Sequence, residues 1–442
     1  MIINSVRTNW RRYQPTLKEI DQKILDYFRS FPSRPDNVNY QQALLKARED
    51  FSLGPSKPSI RHVNDVIRYY PHPERSPGLP YTKLGIRQKK DVDTNRIRWN
   101  IHKLKYREIK KFRTPCSIAA KTVVALPDKD KFRVIWVYPV DMTIIEGMFA
   151  QPLIRAYNSR TRIPYAIWYR WHKRDMHLLN SMLTEGTTWC GLDYSAFDVN
   201  VPAWIIRDAF SILKEQLNFK EYEFYGRPTD PETIENLWTE VVKYFINTPA
   251  KLKSGKIVVK HSGVPSGSYF TNLIDSVVNS IMIHYILLTL EVRYYDHFFM
   301  GDDCLIRIGK EFKDLDAISR IAQGTFGAKI NGDKSEIGRY VQWLGYKLGP
   351  QFPGIDYDKV MAQLLLPSKR DLYPTDIYVR ARAIFISSFC DATLRTIFEE
   401  HGLLREVASY KSELIDRLNY IKLYYKYLHK SLIHISDPTR PY

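Results

Sequence analysis

Residues 298–308 read FFMGDDCLIRI, two short apolar runs joined by Gly301, Asp302 and Asp303. This pattern predicts two strands connected by a tight turn. Two adjacent carboxylates between apolar strands are costly unless a cation binds them. Oxygen ligands on a tight turn suit Mg²⁺, which prefers one or two carboxylates together with substrate phosphates. The alternative is an ordinary hairpin turn, since Asp and Gly both tolerate left-handed backbone conformations.

Upstream of this turn, residues 191–204 read GLDYSAFDVNVPAW and contain two further carboxylates. Asp193 ends a predicted strand, and Asp198 precedes a predicted helix. If that strand lies beside the hairpin, three carboxylates converge, and two divalent ions bridging Asp193 and Asp302 would relieve their repulsion. Two such ions stabilise the attacking and leaving oxygens of a phosphoryl displacement. The alternative is that Asp193 is a turn residue and Asp198 a helix N-cap.

A third stretch, residues 261–279, reads HSGVPSGSYFTNLIDSVVN and predicts a small-residue loop running into a helix. Such a loop, here with Ser266 and Gly267, exposes backbone N–H groups and lets a ligand's backbone approach closely. The polar residues that share one helix face, at a spacing of four, and can offer hydroxyl, carboxylate and amide groups to a sugar are Thr271, Asp275 and Asn279. The alternative is a loop followed by a polar-faced core helix.

Two basic stretches flank these motifs. Residues 121–139, KTVVALPDKDKFRVIWVYP, predict two strands around a turn, and a period of two places Lys131 and Arg133 on one face, suited to phosphate. Residues 331–336, NGDKSE, predict a turn after which Lys334 could donate a proton to a pyrophosphate leaving group. The alternatives are a solvated strand face and an ordinary surface lysine.

The composition excludes global disorder and favours a polyanionic partner. The chain has 442 residues, of which 44% are hydrophobic and 26% charged, the balance of a globular protein with a core. Its formal net charge of +18 favours nucleic acid, phosphorylated ligands or an anionic membrane. Residues 96–113 carry eight Lys or Arg and have apolar residues at helical spacing, which predicts a basic amphipathic helix.

Cysteine spacing and hydropathy predict a soluble intracellular protein. The 4 cysteines form no CxxC pair, which argues against a zinc ribbon or a disulfide framework. The N-terminus lacks the apolar core of a secretory signal, and the most apolar stretch, residues 281–290, is shorter than a bilayer span and predicts a buried helix. The C-terminal region predicts helices, including one with an apolar stripe over residues 414–428.

Taken in order, these stretches resemble the motif series of viral RNA-dependent RNA polymerases. The strands around the 126–131 turn resemble motif F, and LDYSAFD, SGSYFT, MGDD, NGDKS and QWLGY resemble motifs A to E. The series spans residues 121–348, about half of the chain, and six motifs in one order make the resemblance specific. GVPSGSYFTNLIDSVVN and QWLGY are most similar to the partitivirus group of double-stranded RNA viruses, and picobirnavirus polymerases come second.

The resemblance implies a closed right-hand fold of fingers, palm and thumb, of α/β class with an α+β palm. The implied domains are an N-terminal extension and fingers over 1–120, fingers over 121–187, a palm with a fingers insertion over 188–350 and a helical thumb over 351–442. The implied function is RNA-directed RNA polymerisation that replicates and transcribes a viral double-stranded RNA genome. Implied partners are RNA template and product, ribonucleoside triphosphates and viral capsid protein, with no membrane, in the host cytoplasm within the virion.

The resemblance also implies a site, residue by residue. Asp193 and Asp302, assisted by Asp303, would hold two Mg²⁺ or Mn²⁺ ions, and Lys334 would be the general acid. The residues implied around the nucleotide, as phosphate clamp and ribose contacts, are Lys121, Lys131, Arg133, Asp198, Ser266, Gly267, Thr271, Asp275 and Asn279. Many positive-strand RNA virus polymerases have Asn four residues after the motif B threonine, where this chain has Asp, with Asn a turn later.

Two other interpretations remain open from the sequence. A reverse transcriptase shares the palm, although Met300 and Gly301 before the two aspartates, together with Asp198, argue against it. A basic RNA-binding or packaging protein is the non-catalytic alternative, in which the carboxylates are structural. The first would prefer deoxyribonucleotides on an RNA template, and the second would be unaffected by Asp302→Ala.

Overall fold

A computed structural model of the chain describes residues 9–170, 175–228, 230–350, 354–368, 371–388 and 391–404. Backbone proximity divides the chain into two compact units. The larger unit comprises residues 12–169 and 179–354, and every predicted site residue lies in it.

The described residues form a mixture of helices and mostly short strands. The helices are α1 (Leu17–Leu25), α2 (Val38–Asp50), α3 (Val63–Arg68), α4 (Thr94–Lys105), α5 (Val140–Asn158), α6 (Asp175–Met182), α7 (Ala203–Lys214), α8 (Glu232–Ile246), α9 (Thr271–Thr289), α10 (Leu315–Ile321), α11 (Tyr357–Leu365), α12 (Asp376–Ser387) and α13 (Ala392–Glu400). The strands are β1 (Arg11–Arg12), β2 (Ser59–Ile60), β3 (Cys116–Thr122), β4 (Val124–Ala125), β5 (Phe132–Val137), β6 (Thr187–Leu192), β7 (Tyr194–Ser195), β8 (Asn218–Tyr222), β9 (Pro249–Lys251), β10 (Ile257–Val259), β11 (Tyr294–Met300), β12 (Asp303–Gly309), β13 (Lys329–Ile330), β14 (Glu336–Gly338), β15 (Val341–Trp343) and β16 (Tyr346–Leu348).

A four-stranded antiparallel sheet carries the predicted turn. Its strand order is β11-β12-β6-β14, so the hairpin of residues 298–308 lies beside the strand that precedes Asp193. Gly301, at the start of the turn, has a φ of 66°, a left-handed conformation that glycine adopts without strain. Most residues of β6 and β12 are buried, so both faces of these two central strands are covered.

Helix α9 is a core helix that packs against the sheet. It contacts α2, α7 and β11, and residues 273–287 are all buried. By length and composition α9 is apolar enough to cross a membrane, but 83% of its most apolar window is buried inside the fold. The predicted burial of the apolar stretch that begins at residue 281 is therefore confirmed.

A second sheet carries the basic strands. Its order is β10-β9-β3-β5, and β3 and β5 pair antiparallel with Lys121 opposite Arg133. The segment between residues 126 and 131 turns the chain, as the sequence predicts. Because the loop that follows β10 leads into α9, this sheet lies at one end of the loop whose residues were predicted to contact the sugar.

The predicted basic amphipathic helix is α4, which ends at Lys105 and so covers only the first part of the predicted range 96–113. Its apolar residues Ile97, Ile101 and Leu104 are buried, and its N-cap Asp93 accepts a hydrogen bond from the N–H of Asn95. The stripe expected over residues 414–428 lies outside the described residues, whose C-terminal helices are α11, α12 and α13.

Candidate active site

Two of the predicted carboxylates lie at the same end of neighbouring strands. Leu192 pairs with Cys304 in the antiparallel register, so Asp193 directly follows β6 where Asp303 begins β12. Asp302 lies in the turn between β11 and β12. Asp193 therefore lies beside Asp302 and Asp303, which are distant from it along the chain, and we call this group of three carboxylates the acidic edge of the sheet.

The electrostatics of the acidic edge favour a bound cation. Desolvation and the charges of Asp302 and Asp193 together raise the pKa of Asp303 to about 7. Desolvation and Asp193 also raise the pKa of Asp302, while Arg133 and Lys334 act in the opposite direction. Carboxylate oxygens on a tight turn are ligands that fit Mg²⁺ or Mn²⁺, and a divalent ion would offset the repulsion among these anions.

Asp193 is held in place by the turn that follows β13. Its backbone N–H donates to the hydroxyl of Ser335 at 3.1 Å, and its Oδ2 accepts from Asn331 Nδ2 at 3.1 Å. The Nζ of Lys334 lies 3.6 Å from the same Oδ2. Sequence reasoning selected only Lys334 here. The contacts of Asn331 and Ser335 could have been predicted from their positions in the NGDKSE turn, because polar side chains in turns hydrogen-bond to nearby groups.

Asp198 is hydrogen-bonded to the small-residue loop, the other segment from which ribose contacts were predicted. The hydroxyl of Ser266 donates to Oδ2 of Asp198, and the backbone N–H of Val264 donates to its carbonyl oxygen at 2.7 Å. Desolvation and the charge of Asp302 raise the pKa of Asp198 to about 6, against the Ser266 bond and the charge of Arg133. Asp198 and Ser266, two of the predicted ribose contacts, therefore lie together beside the acidic edge.

Gly267 allows the same loop to approach strand β5 closely. A Cβ at this position would lie 2.0 Å from the carbonyl oxygen of Trp136, and the backbone φ is 152°. The N–H of Trp136 donates to the carbonyl of Ser266 at 3.0 Å. At the other end of the loop, Oγ1 of Thr271 donates to the carbonyl of Pro265 at 2.9 Å. The loop is therefore tied to β5 and to the start of α9.

The helix face that continues from Thr271 is buried, so Asn279 does not lie where the sequence analysis expected it, in contact with the sugar. Asn279 is fully buried, and its Nδ2 donates to the carbonyls of Gly301 and Asp302 at 3.1 and 3.0 Å. The structure thus places Asn279 behind the turn, where it supports Asp302, whereas the sequence suggested a contact with the sugar.

Asp275 is buried next to the site without a compensating cation. Desolvation and the charges of Asp198 and Asp302 raise its pKa well above the ordinary value. Within the described part of the chain, no group hydrogen-bonds to its Oδ1. Burial and the nearby carboxylates therefore favour the protonated form of Asp275, in which the carboxyl group can donate a hydrogen bond.

Among the predicted basic residues, Arg133 has the clearest effect on the acidic edge. Its positive charge lowers the pKa of Asp198 and Asp302. Lys121 is paired with Arg133 across the two strands, and Lys131 directly precedes β5. The exposed side chains of these three residues concentrate positive charge on one part of the second sheet.

Two buried ionisable residues support the loop, and sequence reasoning missed both. Glu146 accepts from the hydroxyl of Ser268 at 2.6 Å and from the N–H of Tyr269 at 2.9 Å, and burial raises its pKa to about 8. Lys260 is fully buried and donates to three backbone carbonyls, including that of Gly263 at 2.8 Å. A charged residue inside an apolar run, as in VDMTIIEGMF and IVVK, was the available signal.

Comparison with known protein sequences gives consistent matches. A profile of the family described as "Viral RNA-dependent RNA polymerase" matches residues 16–352. An RNA-directed RNA polymerase from Cryptosporidium parvum virus 1 (strain KSU-1) is 26% identical over 439 residues, covering 86% of this chain and 78% of that protein. An RNA-directed RNA polymerase from White clover cryptic virus 1 (isolate Boccardo/2004) is 26% identical over 348 residues, covering 70% of this chain and 54% of that protein.

Comparison with solved structures addresses the fold. The crystal structure of the RNA-dependent RNA polymerase of a human picobirnavirus has a TM-score of 0.67 to this chain at 15% sequence identity. The similarity covers 90% of this chain and 76% of that one. The predicted fold class, a right-hand polymerase with an α+β palm, is therefore confirmed.

Proposed function

Because the chain belongs to the viral RNA-dependent RNA polymerase family and is an RNA-directed RNA polymerase, we propose that Asp193, Asp302 and Asp303 hold its catalytic divalent ions. The acidic edge carries this proposal: Asp193 and Asp303 lie at adjacent strand ends, and mutual repulsion with desolvation raises the pKa of Asp303 to about 7. Two Mg²⁺ or Mn²⁺ ions, when bound there, would supply charge stabilisation for the attacking and leaving oxygens of nucleotidyl transfer.

The basic residues contribute positioning and a proton. Arg133, with Lys121 and Lys131 near it, binds the triphosphate of the incoming nucleotide, since a guanidinium matches phosphate oxygens bidentately. Lys334 delivers a proton to the pyrophosphate leaving group. Its ion pair with Asp193 holds the ammonium group close to the acidic edge. Catalysis of phosphoryl transfer relies on such positioning and charge stabilisation.

The ribose is recognised by the loop and the segment after β6. Asp198 and Ser266, already hydrogen-bonded to each other, present a carboxylate and a hydroxyl to the sugar hydroxyl groups. Gly267 leaves room for the sugar–phosphate backbone, and Thr271 orders the loop. Asp275 is included because its buried carboxyl group lies close enough to Asp198 for the charge of Asp198 to raise its pKa.

We propose the biological setting by extension from the relatives. The two viral polymerases described above come from double-stranded RNA viruses, and we extend that genome type to this chain, with replication and transcription as its two syntheses. RNA template, RNA product, ribonucleoside triphosphates and capsid protein are its partners, in the host cytoplasm within the virion. The domain boundaries proposed are those at residues 120, 187 and 350.

A polymerase assay tests the assignment of the acidic edge. The full chain is supplied with an RNA template, Mg²⁺ or Mn²⁺ and labelled nucleotides, and ribonucleotide incorporation is compared with deoxyribonucleotide incorporation. We expect ribonucleotides to dominate and Asp302→Ala to reduce incorporation by at least about 100-fold. Unchanged incorporation by Asp302→Ala would refute the assignment of this residue, whereas dominant deoxyribonucleotide use would contradict the proposed ribose contacts. The comparisons do not favour a reverse transcriptase or a non-catalytic packaging protein.

A further inference from the structure

A second cluster of potential ligands lies in the core, on elements that lead to the site. Asp50 ends α2, His284 is in the middle of α9, and His297 is in β11. The ligand atoms of these three side chains lie within 4.8 Å of one another. The exposed fractions of the side chains are 7%, 1% and 17%, so the cluster is nearly closed to solvent.

The hydrogen bonds of His297 fix which ring nitrogen carries its proton. Its Nδ1 lies 3.1 Å from the backbone carbonyl of Tyr295, which can only accept, so Nδ1 carries the hydrogen. Its Nε2, which carries either a lone pair or a second proton, lies 2.7 Å from Oδ1 of Asp50. A lone pair and a carboxylate oxygen at that distance repel each other unless a proton or a metal ion stands between them.

His284 approaches the same carboxylate from the helix. Its Nε2 lies 2.7 Å from Oδ2 of Asp50, and its Nδ1 lies 2.8 Å from the hydroxyl of Tyr294. In metal sites, ligating histidines almost always bind an oxygen with their other ring nitrogen, which fixes the orientation of the ring. Both histidines meet this condition, and the hydroxyl of Ser280 orients the carboxylate by donating to Oδ2 at 2.7 Å.

We propose that Asp50, His284 and His297 bind one Zn²⁺ ion through a carboxylate oxygen and the two Nε2 atoms. Two imidazoles and one carboxylate suit zinc, whereas Mg²⁺ prefers oxygen ligands alone. Ligand distances of about 2.0–2.2 Å place neighbouring ligand atoms about 3.3 Å apart, so the Nε2 atom that is now 2.7 Å from the ligating oxygen must move outward by about 0.6 Å. A water molecule on the more exposed side, next to His297, completes the tetrahedron.

Zinc at this position would join three elements that are distant along the chain. Helix α9 begins directly after the small-residue loop, and β11 ends directly before the Gly301-Asp302 turn. An ion bound to both and to the end of α2 would limit their relative movement, and therefore the relative movement of the loop and the turn. The proposed ion is structural and takes no part in the nucleotidyl transfer itself.

Metal analysis of the full chain tests the proposal. The purified protein is stripped with a chelator, incubated with zinc chloride, desalted and measured by mass spectrometry of the metal. We expect about one zinc per chain in the unmutated protein, and less than about a tenth of that in His284→Gln and His297→Gln. His102→Gln is the matched control, because His102 is 47% exposed and outside the cluster, and it should retain zinc.

Two further measurements distinguish loss of the zinc site from misfolding of a variant, and zinc bound at this site from zinc bound at the acidic edge. Cobalt binding to the unmutated chain should give the visible absorption bands of a tetrahedral nitrogen–oxygen site, which needs no variant to fold. Asp302→Asn should retain zinc even if it abolishes polymerisation. The proposal is overturned if the unmutated chain takes up neither zinc nor cobalt, if both histidine variants keep their zinc, or if Asp302→Asn loses it.

Discussion

Asp302 and Asp303 are adjacent in the chain and share a tight turn, so neither can move away from the other's charge. The register of β12 against β6 then adds Asp193, whose charge raises the pKa of both. Covalent geometry and strand pairing thus hold three carboxylates together, and their mutual repulsion is unfavourable. A bound divalent ion would offset this repulsion. Asn279 stabilises this arrangement, because its side-chain amide donates hydrogen bonds to the backbone carbonyls of Gly301 and Asp302.

Replacing one carboxylate of the acidic edge should separate catalysis from RNA binding. We expect Asp302→Asn to lower the rate of ribonucleotide incorporation by at least about 100-fold, because the isosteric amide is a poor metal ligand. RNA affinity, measured by fluorescence anisotropy, should remain within about threefold, since no positive charge is lost. Asp316→Asn, on the exposed side of α10, is the control and should retain activity. Equal activity of the two variants would contradict the metal-binding role.

Glu146 makes stability depend on pH. Its pKa is raised from 4.5 to about 8 in the folded state, so between these values the folded chain binds more protons than the unfolded chain. The free energy of unfolding therefore falls as pH rises through this window, by up to about 1.4 kcal/mol per unit from this group. Glu146→Gln, which mimics the neutral acid, should match the unmutated chain near pH 5 and exceed it by about 2–4 kcal/mol at pH 8.

Urea unfolding at both pH values measures this effect. Glu232→Gln, an exposed change of the same type, should leave the pH dependence as it is. Parallel pH profiles for Glu146→Gln and the unmutated chain would show that Glu146 does not carry the proton.

The small-residue loop connects the two halves of the proposed site. Through backbone hydrogen bonds it is attached to the segment around Asp198 and to Trp136 in β5, and it runs directly into α9. Glu146 accepts hydrogen bonds from the hydroxyl of Ser268 and the N–H of Tyr269, and Lys260 donates to the carbonyl of Gly263. The loop is therefore ordered by hydrogen bonds to buried side chains. The position of Ser266 relative to Asp198 therefore depends on β5 as much as on the loop's own sequence.

A side chain at Gly267 should disturb this connection. A Cβ there meets the carbonyl oxygen of Trp136 at 2.0 Å, so Gly267→Ala must push the loop away from β5, at a cost of about 1–3 kcal/mol in the free energy of unfolding. Incorporation should fall, mainly through a higher KM for the nucleotide. Gly324→Ala is the matched control, because no heavy atom lies within 4 Å of a Cβ there. A loss of stability and activity as small as that of the control would disprove the close-approach argument.

Across the chain, a net charge of +18 accompanies a site built from carboxylates. The positive field attracts the polyanionic template, whereas the acidic edge repels it unless divalent ions are bound. The larger unit contains every residue assigned to catalysis, and its core continues from the N-terminal helices through α9 into the sheet. Affinity for RNA and catalysis therefore depend on different parts of the charge distribution.

RNA affinity should depend steeply on ionic strength. We expect the association constant for a short RNA, measured by anisotropy, to fall at least about tenfold between 50 and 200 mM KCl, because bound cations are released from the phosphates. Asp302→Asn serves as the protein in this experiment, so that no product forms during the titration. An affinity independent of salt would mean that the excess of Lys and Arg does not contact the backbone of the RNA.

The local patterns of the chain were sufficient to predict several of the elements that carry the proposed site. Turn residues between apolar runs predicted the hairpin, helical spacing predicted the buried face of α4, and the acidic residue types pointed to divalent metal chemistry. These predictions succeed because turns, helical periodicity and ligand preference are properties of a few neighbouring residues.

Packing between distant segments determined the rest. A spacing of four places Asn279 on the same helix face as Thr271, but only the hairpin packed against α9 makes that face an interior one. The buried partners of Glu146 and the meeting of Asp50 with His284 depend likewise on contacts between residues more than a hundred positions apart. Periodicity specifies which residues share a helix face. The free energy of burying that face depends on what packs against it. For α9 the packing element is the hairpin, which comes from a different segment of the chain.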